Sequence, residues 1–122
     1  QRSLNKLKSR AEREGVDNIE IVIGGVEDPE FPANDLDMIV MVYVLHHLEK
    51  PVEFMNNVKK YLKPGGTVVL IEQNRDHDRT HAEEYMSKRQ ILDTLEQTSY
   101  ELVKTETFIK KDTIYVYRIN NK

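Results

Sequence analysis

The spacing of apolar positions changes several times along the chain, and each change marks an element. Leu4, Leu7 and Ala11 recur at helical spacing between Lys, Arg and Glu. That pattern predicts an amphipathic helix over residues 2–14, with Gly15 placed to end it. Residues 19–23 are a short β-branched run stopped by Gly24 and Gly25, which reads as a strand. Residues 27–35 are acidic and contain proline, as a surface loop would. Residues 38–44 are nearly all apolar and predict a strand buried on both faces. Pro51 suits the first turn of a helix, and Val52, Met55, Val58 and Leu62 then mark one helical face with Phe54 beside it. This segment runs into Lys63-Pro64-Gly65-Gly66, where proline and glycine stop a helix abruptly. An apolar run of strand type, residues 67–71, follows at once.

Residues 73–86 are polar and without clear period. Ser87 and Gln90 have the spacing of a capping box for a helix reaching about Gln97, with Ile91, Leu92 and Leu95 as its buried face. Residues 100–109 and 113–119 are extended segments joined by Lys110-Lys111-Asp112, a link short enough to imply an antiparallel hairpin. Helices alternating with apolar strands predict an α/β fold with a mainly parallel sheet and helices on both faces. The terminal hairpin adds antiparallel pairing near one edge. No repeat, low-complexity tract or linker breaks residues 1–122, so one domain is expected.

Composition narrows the function. The 122 residues suffice for one core, and 39% hydrophobic with 32% charged residues is a globular balance. With 18 basic and 21 acidic residues the net charge is −3, so no nucleic-acid partner is expected. No apolar run approaches the ~18–20 residues that span a bilayer, so no membrane partner is expected either. The absence of cysteine excludes disulfides and thiolate zinc sites and fits a reducing, cytoplasmic location. The chain starts at Gln1 rather than Met, so the expectation is either that residues were removed or that it is a piece of something longer.

Several stretches, at matching spacing, resemble the C-terminal part of a class I S-adenosylmethionine-dependent methyltransferase. Gly24-Gly25-Val26-Glu27-Asp28 with Phe31-Pro32 is similar to the loop after that family's third strand. Leu36-Asp37-Met38-Ile39-Val40 resembles its fourth strand, and Val44-Leu45-His46-His47-Leu48 the segment that follows. Tyr61-Leu62-Lys63-Pro64-Gly65-Gly66 resembles the turn before the fifth strand, and the final hairpin resembles the sixth and seventh. The resemblance implies an incomplete Rossmann-like sheet, with S-adenosylmethionine as cofactor and a small-molecule acceptor. No Gly-x-Gly occurs in these residues. The glycine-rich loop and the first two strands are therefore expected upstream, and cofactor binding by this chain alone is expected to be impaired. Without those strands, residues 19–23 are expected to pair directly with residues 38–43, giving a compacted five-stranded sheet, or to join a second copy in a homodimer.

The resemblance also assigns sites. Gly25, Val26 and Glu27 would meet the adenine, although Gly25 stands where the family commonly has Asp. Met41 and Val42 would face the sulfonium side through their backbone carbonyls, and His47 would wall the pocket. Tyr43, Arg75, His77, Arg79, His81 and Tyr85 are substrate-side candidates, the arginines suiting a carboxylate or phosphate. Each has an ordinary explanation: a strand-ending turn, core packing or a solvated loop. His46 and His47 are adjacent and diverge around a turn, so a metal site is not expected, and His46 or His47 as a base is the weaker alternative to packing. His77, Asp78, His81 and Glu84 have a ligand spacing but a mobile-loop composition. Asp37 reads as a turn or capping acceptor, and Lys110-Lys111 as a charged hairpin tip. The leading expectation is thus methyl transfer by a protein of which this is the C-terminal part. A cofactor-free scaffold module, or an inactive stable fragment, are the alternatives.

Overall fold

The computed structural model describes residues 2–73 and 86–119. Helix α1 (Arg2–Arg13) is followed by β1 (Leu36–Val42), α2 (Pro51–Val58), β2 (Leu62–Gln73), α3 (Lys88–Glu96), β3 (Tyr100–Glu106) and β4 (Asp112–Ile119). The four strands form one sheet in the order β1-β2-β4-β3. β1 and β2 run parallel, while β4 is antiparallel to both β2 and β3. The predicted hairpin is therefore present, with β4 inserted beside β2 and β3 at the edge.

Local chemistry sets the helix ends. Gly15 adopts φ 69°, and the Gly15 and Val16 amides donate to the Glu12 and Ala11 carbonyls, closing α1 in a glycine-based cap. Pro51 occupies the first turn of α2. The capping box of α3 forms as predicted: the Ser87 hydroxyl accepts from the Gln90 amide at 3.1 Å, and the Gln90 side chain accepts from the Ser87 amide at 2.7 Å.

The core lies on one face of the sheet. Ile39 and Met41 of β1, Val68 and Leu70 of β2, and Tyr115 and Tyr117 of β4 pack against Phe54, Met55 and Val58 of α2 and Ile91 and Leu95 of α3. Each fully buried aliphatic side chain contributes about 1.5–3 kcal/mol. Tyr100 ties the edge strand to this layer by donating its hydroxyl to the Met55 carbonyl at 2.9 Å. Burial pushes the Tyr100 phenol well above its ordinary range.

Three expectations are corrected. Residues 19–23 are not a strand and join no ladder, so the sheet has four strands rather than a compacted five. Ile21 and Val22 instead turn toward Leu4, Leu7, Phe31 and Leu36 around a cavity of about 340 Å3, while Ile19 and Ile23 remain exposed. The apolar content of the run is thus used by packing against α1 and the following loop, not by pairing. Second, β1 is not buried on both faces: Ile39 and Met41 are 5% and 6% exposed, but Met38, Val40 and Val42 are 56%, 52% and 50% exposed. Among the described residues α2 and α3 cover one face only. Third, the turn at residues 63–66 is incorporated in β2. Leu36 pairs with Leu62 but Met38 with Thr67, so Asp37 lies opposite the whole of residues 63–66. Gly65 takes φ 82°, and a Cβ on Gly66 would come within 3.0 Å of the Lys63 carbonyl oxygen and 3.1 Å of that of Leu36. Asp37 is exposed and paired with Lys63.

Candidate functional site

The carboxyl ends of β1 and β2 gather the polar chemistry of the molecule, as open α/β sheets generally do. β1 ends at Val42, and the amide of the next residue, Tyr43, still donates to the Ile71 carbonyl at 2.9 Å. Its φ of 56° is left-handed, a conformation costing a non-glycine residue about 1–3 kcal/mol. The Tyr43 hydroxyl donates to the Asp112 carboxylate, 2.8 and 2.7 Å from its two oxygens. This bond reaches from β1 across β2 to the first residue of β4, and it holds the strained turn in place.

The chain then makes a short 3₁₀ turn, Leu45–His47, anchored by the buried Leu45. The turn places the His46 ring against β2. His46 Nδ1 lies 2.8 Å from Glu72 Oε2, with the two side chains 9% and 1% exposed. A carboxylate only accepts, so the imidazole Nδ1–H is the donor. A neutral ring in that tautomer carries its lone pair on Nε2. The other Glu72 oxygen, Oε1, is buried with no hydrogen-bond partner among the described residues. A buried carboxylate satisfied on one side is costly, which marks Glu72 as more than packing. The exposed His47 stacks its ring 4.1 Å from that of His46.

The loop at residues 24–30 forms a second feature. The Gly25 amide donates to the Asp28 carbonyl at 2.7 Å, closing a tight turn from which Val26 projects into solvent. Glu27 pairs with Lys50 at 2.7 Å, and its carbonyl accepts from Asn57. The Asp28 carboxylate accepts from Lys60, from the Tyr61 hydroxyl at 2.5 Å and from the Glu30 amide at 2.8 Å. The Lys60 ammonium and these donors hold the Asp28 carboxyl down at about 2, below its ordinary 3.8. The same contact raises Lys60, and the hydrogen bond to Asp28 raises Tyr61. Residues 24–30 are therefore clamped along α2.

The structure thus brings Tyr43 and His47 to one edge, leaves the Met41 side chain in the core, and half-exposes Val42. Gly25, Val26 and Glu27 lie on the clamped loop. Arg75, His77, Arg79, His81 and Tyr85, and the His77–Glu84 cluster, lie outside the described residues. Among the described residues no three His, Asp or Glu side chains converge as metal ligands, and no helix is long and apolar enough to cross a membrane. Sequence reasoning missed Glu72 and Asp112. Glu72 is the lone charge closing an apolar strand, a usable signal. Asp112 carried none beyond its place in a turn.

Residues 1–70 match the family profile described as a methyltransferase domain. The tRNA U34 carboxymethyltransferase of Desulfotalea psychrophila is 31% identical over 76 residues, covering 62% of this chain and 24% of that protein. The highly reducing polyketide synthase Preu5 of Preussia isomera is 45% identical over 47 residues, 38% of this chain and 2% of that protein. Among solved structures, a SAM-dependent methyltransferase from Aquifex aeolicus superimposes with a TM-score of 0.82 at 22% identity, covering 93% of this chain and 61% of that one. The O-methyltransferase NcsB1 from neocarzinostatin biosynthesis, solved with S-adenosyl-L-homocysteine and 1,4-dihydroxy-2-naphthoic acid, superimposes at 0.77 with 18% identity, covering 95% and 39%. The fold is therefore Rossmann-like, of the kind found in those enzymes. The chain spans about a quarter of the length of the first of these curated relatives.

Proposed function

Because the chain belongs to the methyltransferase domain family, we propose that it is part of an S-adenosylmethionine-dependent methyltransferase acting on a small acceptor through a hydroxyl or amine. The observation that carries this reading is the buried His46–Glu72 pair at the carboxyl edge of the parallel strands.

The residues present fit part of the cofactor. The buried, half-satisfied carboxylate of Glu72, the left-handed backbone at Tyr43 and the closed turn at Gly25 are built features, not relaxed loops. In our reading the Val26 backbone and Glu27 meet the adenine side, the backbone of Met41 and Val42 borders the reacting centre, and His47 walls it. The Gly25 amide is already used by Asp28, so that contact falls to Val26. When bound, S-adenosylmethionine supplies the electrophilic methyl group. The chain's own residues prepare the acceptor. Glu72 fixes the His46 ring and favours the tautomer with a basic Nε2, the atom that takes the acceptor's proton. Glu72 also stabilises the imidazolium once formed. Tyr43 and Asp112 frame the mouth.

Methyl transfer from labelled S-adenosylmethionine to a panel of phenols and amines tests this in the protein that carries these residues. His46→Ala is expected to lower kcat about 10²–10⁴-fold, the usual worth of a general base, while leaving S-adenosylhomocysteine affinity unchanged. Equal rates in the two proteins overturn the assignment. For the 122-residue chain alone, calorimetry is expected to find S-adenosylhomocysteine binding weaker than micromolar, since no glycine-rich Gly-x-Gly loop lies in these residues. Micromolar binding would show that this part suffices.

A further inference from the structure

A second set of groups lies toward the other end of the strands. Tyr117 pairs with Val68 midway along β2 and with Leu102 near the start of β3, whereas Glu72 pairs with Thr113 near the end of β2. Here α3 and the β3–β4 hairpin enclose an open groove of about 920 Å3. That is within the range of about 300–1,000 Å3 typical of small-molecule sites. Leu92 and Leu95 of α3 with Tyr100, Leu102 and Tyr117 of the hairpin give it an apolar lining.

The floor contains an unused donor. Tyr117 is 2% exposed, and its hydroxyl has no hydrogen-bond partner among the described residues. The adjacent Tyr100 shows the contrast, since its hydroxyl is given to the Met55 carbonyl. Buried hydroxyls are almost always paired, so an unpaired one on a residue that lines a groove points to a ligand acceptor. Burial pushes the Tyr117 phenol up to about 12, so it keeps its proton at neutral pH and has a hydroxyl hydrogen to donate.

The rim argues for an uncharged ligand. Lys88 and Arg89 are offset by Asp93 and Glu96, and Glu101 is held by Arg118 at 2.5 Å. The outer edge of β3 argues against an added strand. Its pairing shifts register between Leu102 and Lys104, leaving Val103 as a bulge that interrupts the edge.

We propose that this groove binds a small, uncharged, mainly apolar molecule through a carbonyl oxygen that accepts the Tyr117 hydroxyl. The site is separate from the carboxyl-edge pair and does not depend on the methyl-transfer reading. Acetophenone and ethylbenzene, alike in shape but differing in the carbonyl, are the probes. Titrated into the ¹⁵N-labelled 122-residue chain, both are expected to shift the amides of Leu92, Leu102 and Tyr117, with the ketone binding about tenfold tighter, the scale of one hydrogen bond. Tyr117→Phe is expected to erase that ratio while leaving ethylbenzene binding intact, and Leu92→Trp to block both. Equal affinities in the unmodified chain overturn the proposal, as does a ratio that survives Tyr117→Phe. Shifts confined to the outer edge of β3, indicating strand association, or to Tyr43 and His46 overturn it as well.

Discussion

The two faces of this sheet are made from the same strands and nearly the same apolar residues, yet they live in different environments. On one face Val68 and Leu70 are sealed at 0% exposure beneath α2 and α3. On the other, their neighbours on β1, Met38, Val40 and Val42, are half exposed. The difference teaches that an unbroken apolar run reports what a strand can bury, not what covers it. Burial depends on helices that come from elsewhere in the chain, and here α2 and α3 both lie over one face.

Mutations should separate the faces by size of effect. Leu70→Ala opens a cavity under both helices and is expected to cost about 2–5 kcal/mol, read from the urea midpoint at constant slope. Ser87→Ala removes the cap of α3 and tests how firmly that covering helix is held; a loss of about 1 kcal/mol is expected in the same assay. Asp28→Asn removes the charge that Lys60 and Tyr61 hold on the loop at residues 24–30. Its carboxyl is held at about 2 in the fold against 3.8 unpaired, so its contribution is complete above 3.8 and is lost as pH falls through 2. The variant should therefore lower the melting temperature at neutral pH, where the contribution is complete, and flatten acid unfolding between those values, the gap from the unmodified chain closing as pH falls through 2. Val40→Thr, on the open face, is expected to stay within about 0.5 kcal/mol. If it costs as much as Leu70→Ala, the second face is covered in solution and the contrast fails.

Much of the fold was legible because its signals are local. Gly15, Pro51 and the Ser87–Gln90 box act on their own backbone, and the short link at residues 110–112 leaves two extended segments no arrangement but a hairpin. What failed was non-local. Residues 19–23 have strand composition, but a strand exists only in a ladder, and α1 and the loop to Leu36 took their side chains instead. The site divides the same way. Tyr43 and His47 were named as candidates from the family resemblance of a local stretch, whereas the His46–Glu72 pair joins residues 26 apart and the Tyr43–Asp112 bond residues 69 apart. No spacing rule reaches that far.

The neighbouring glycines at the start of β2 carry a final lesson, about handedness and room. At Gly65 the backbone takes a mirror-image twist in open space; at Gly66 the twist is ordinary but two carbonyl oxygens crowd the position. Alanine is wrong at both, for unrelated reasons. A D-alanine, whose natural twist is the inverted one, suits position 65 and should stiffen the entry to β2 by shrinking the unfolded ensemble. Chemical synthesis could thus add stiffness at the first glycine, while at the second a Cβ must displace the backbone carbonyls of Lys63 or Leu36.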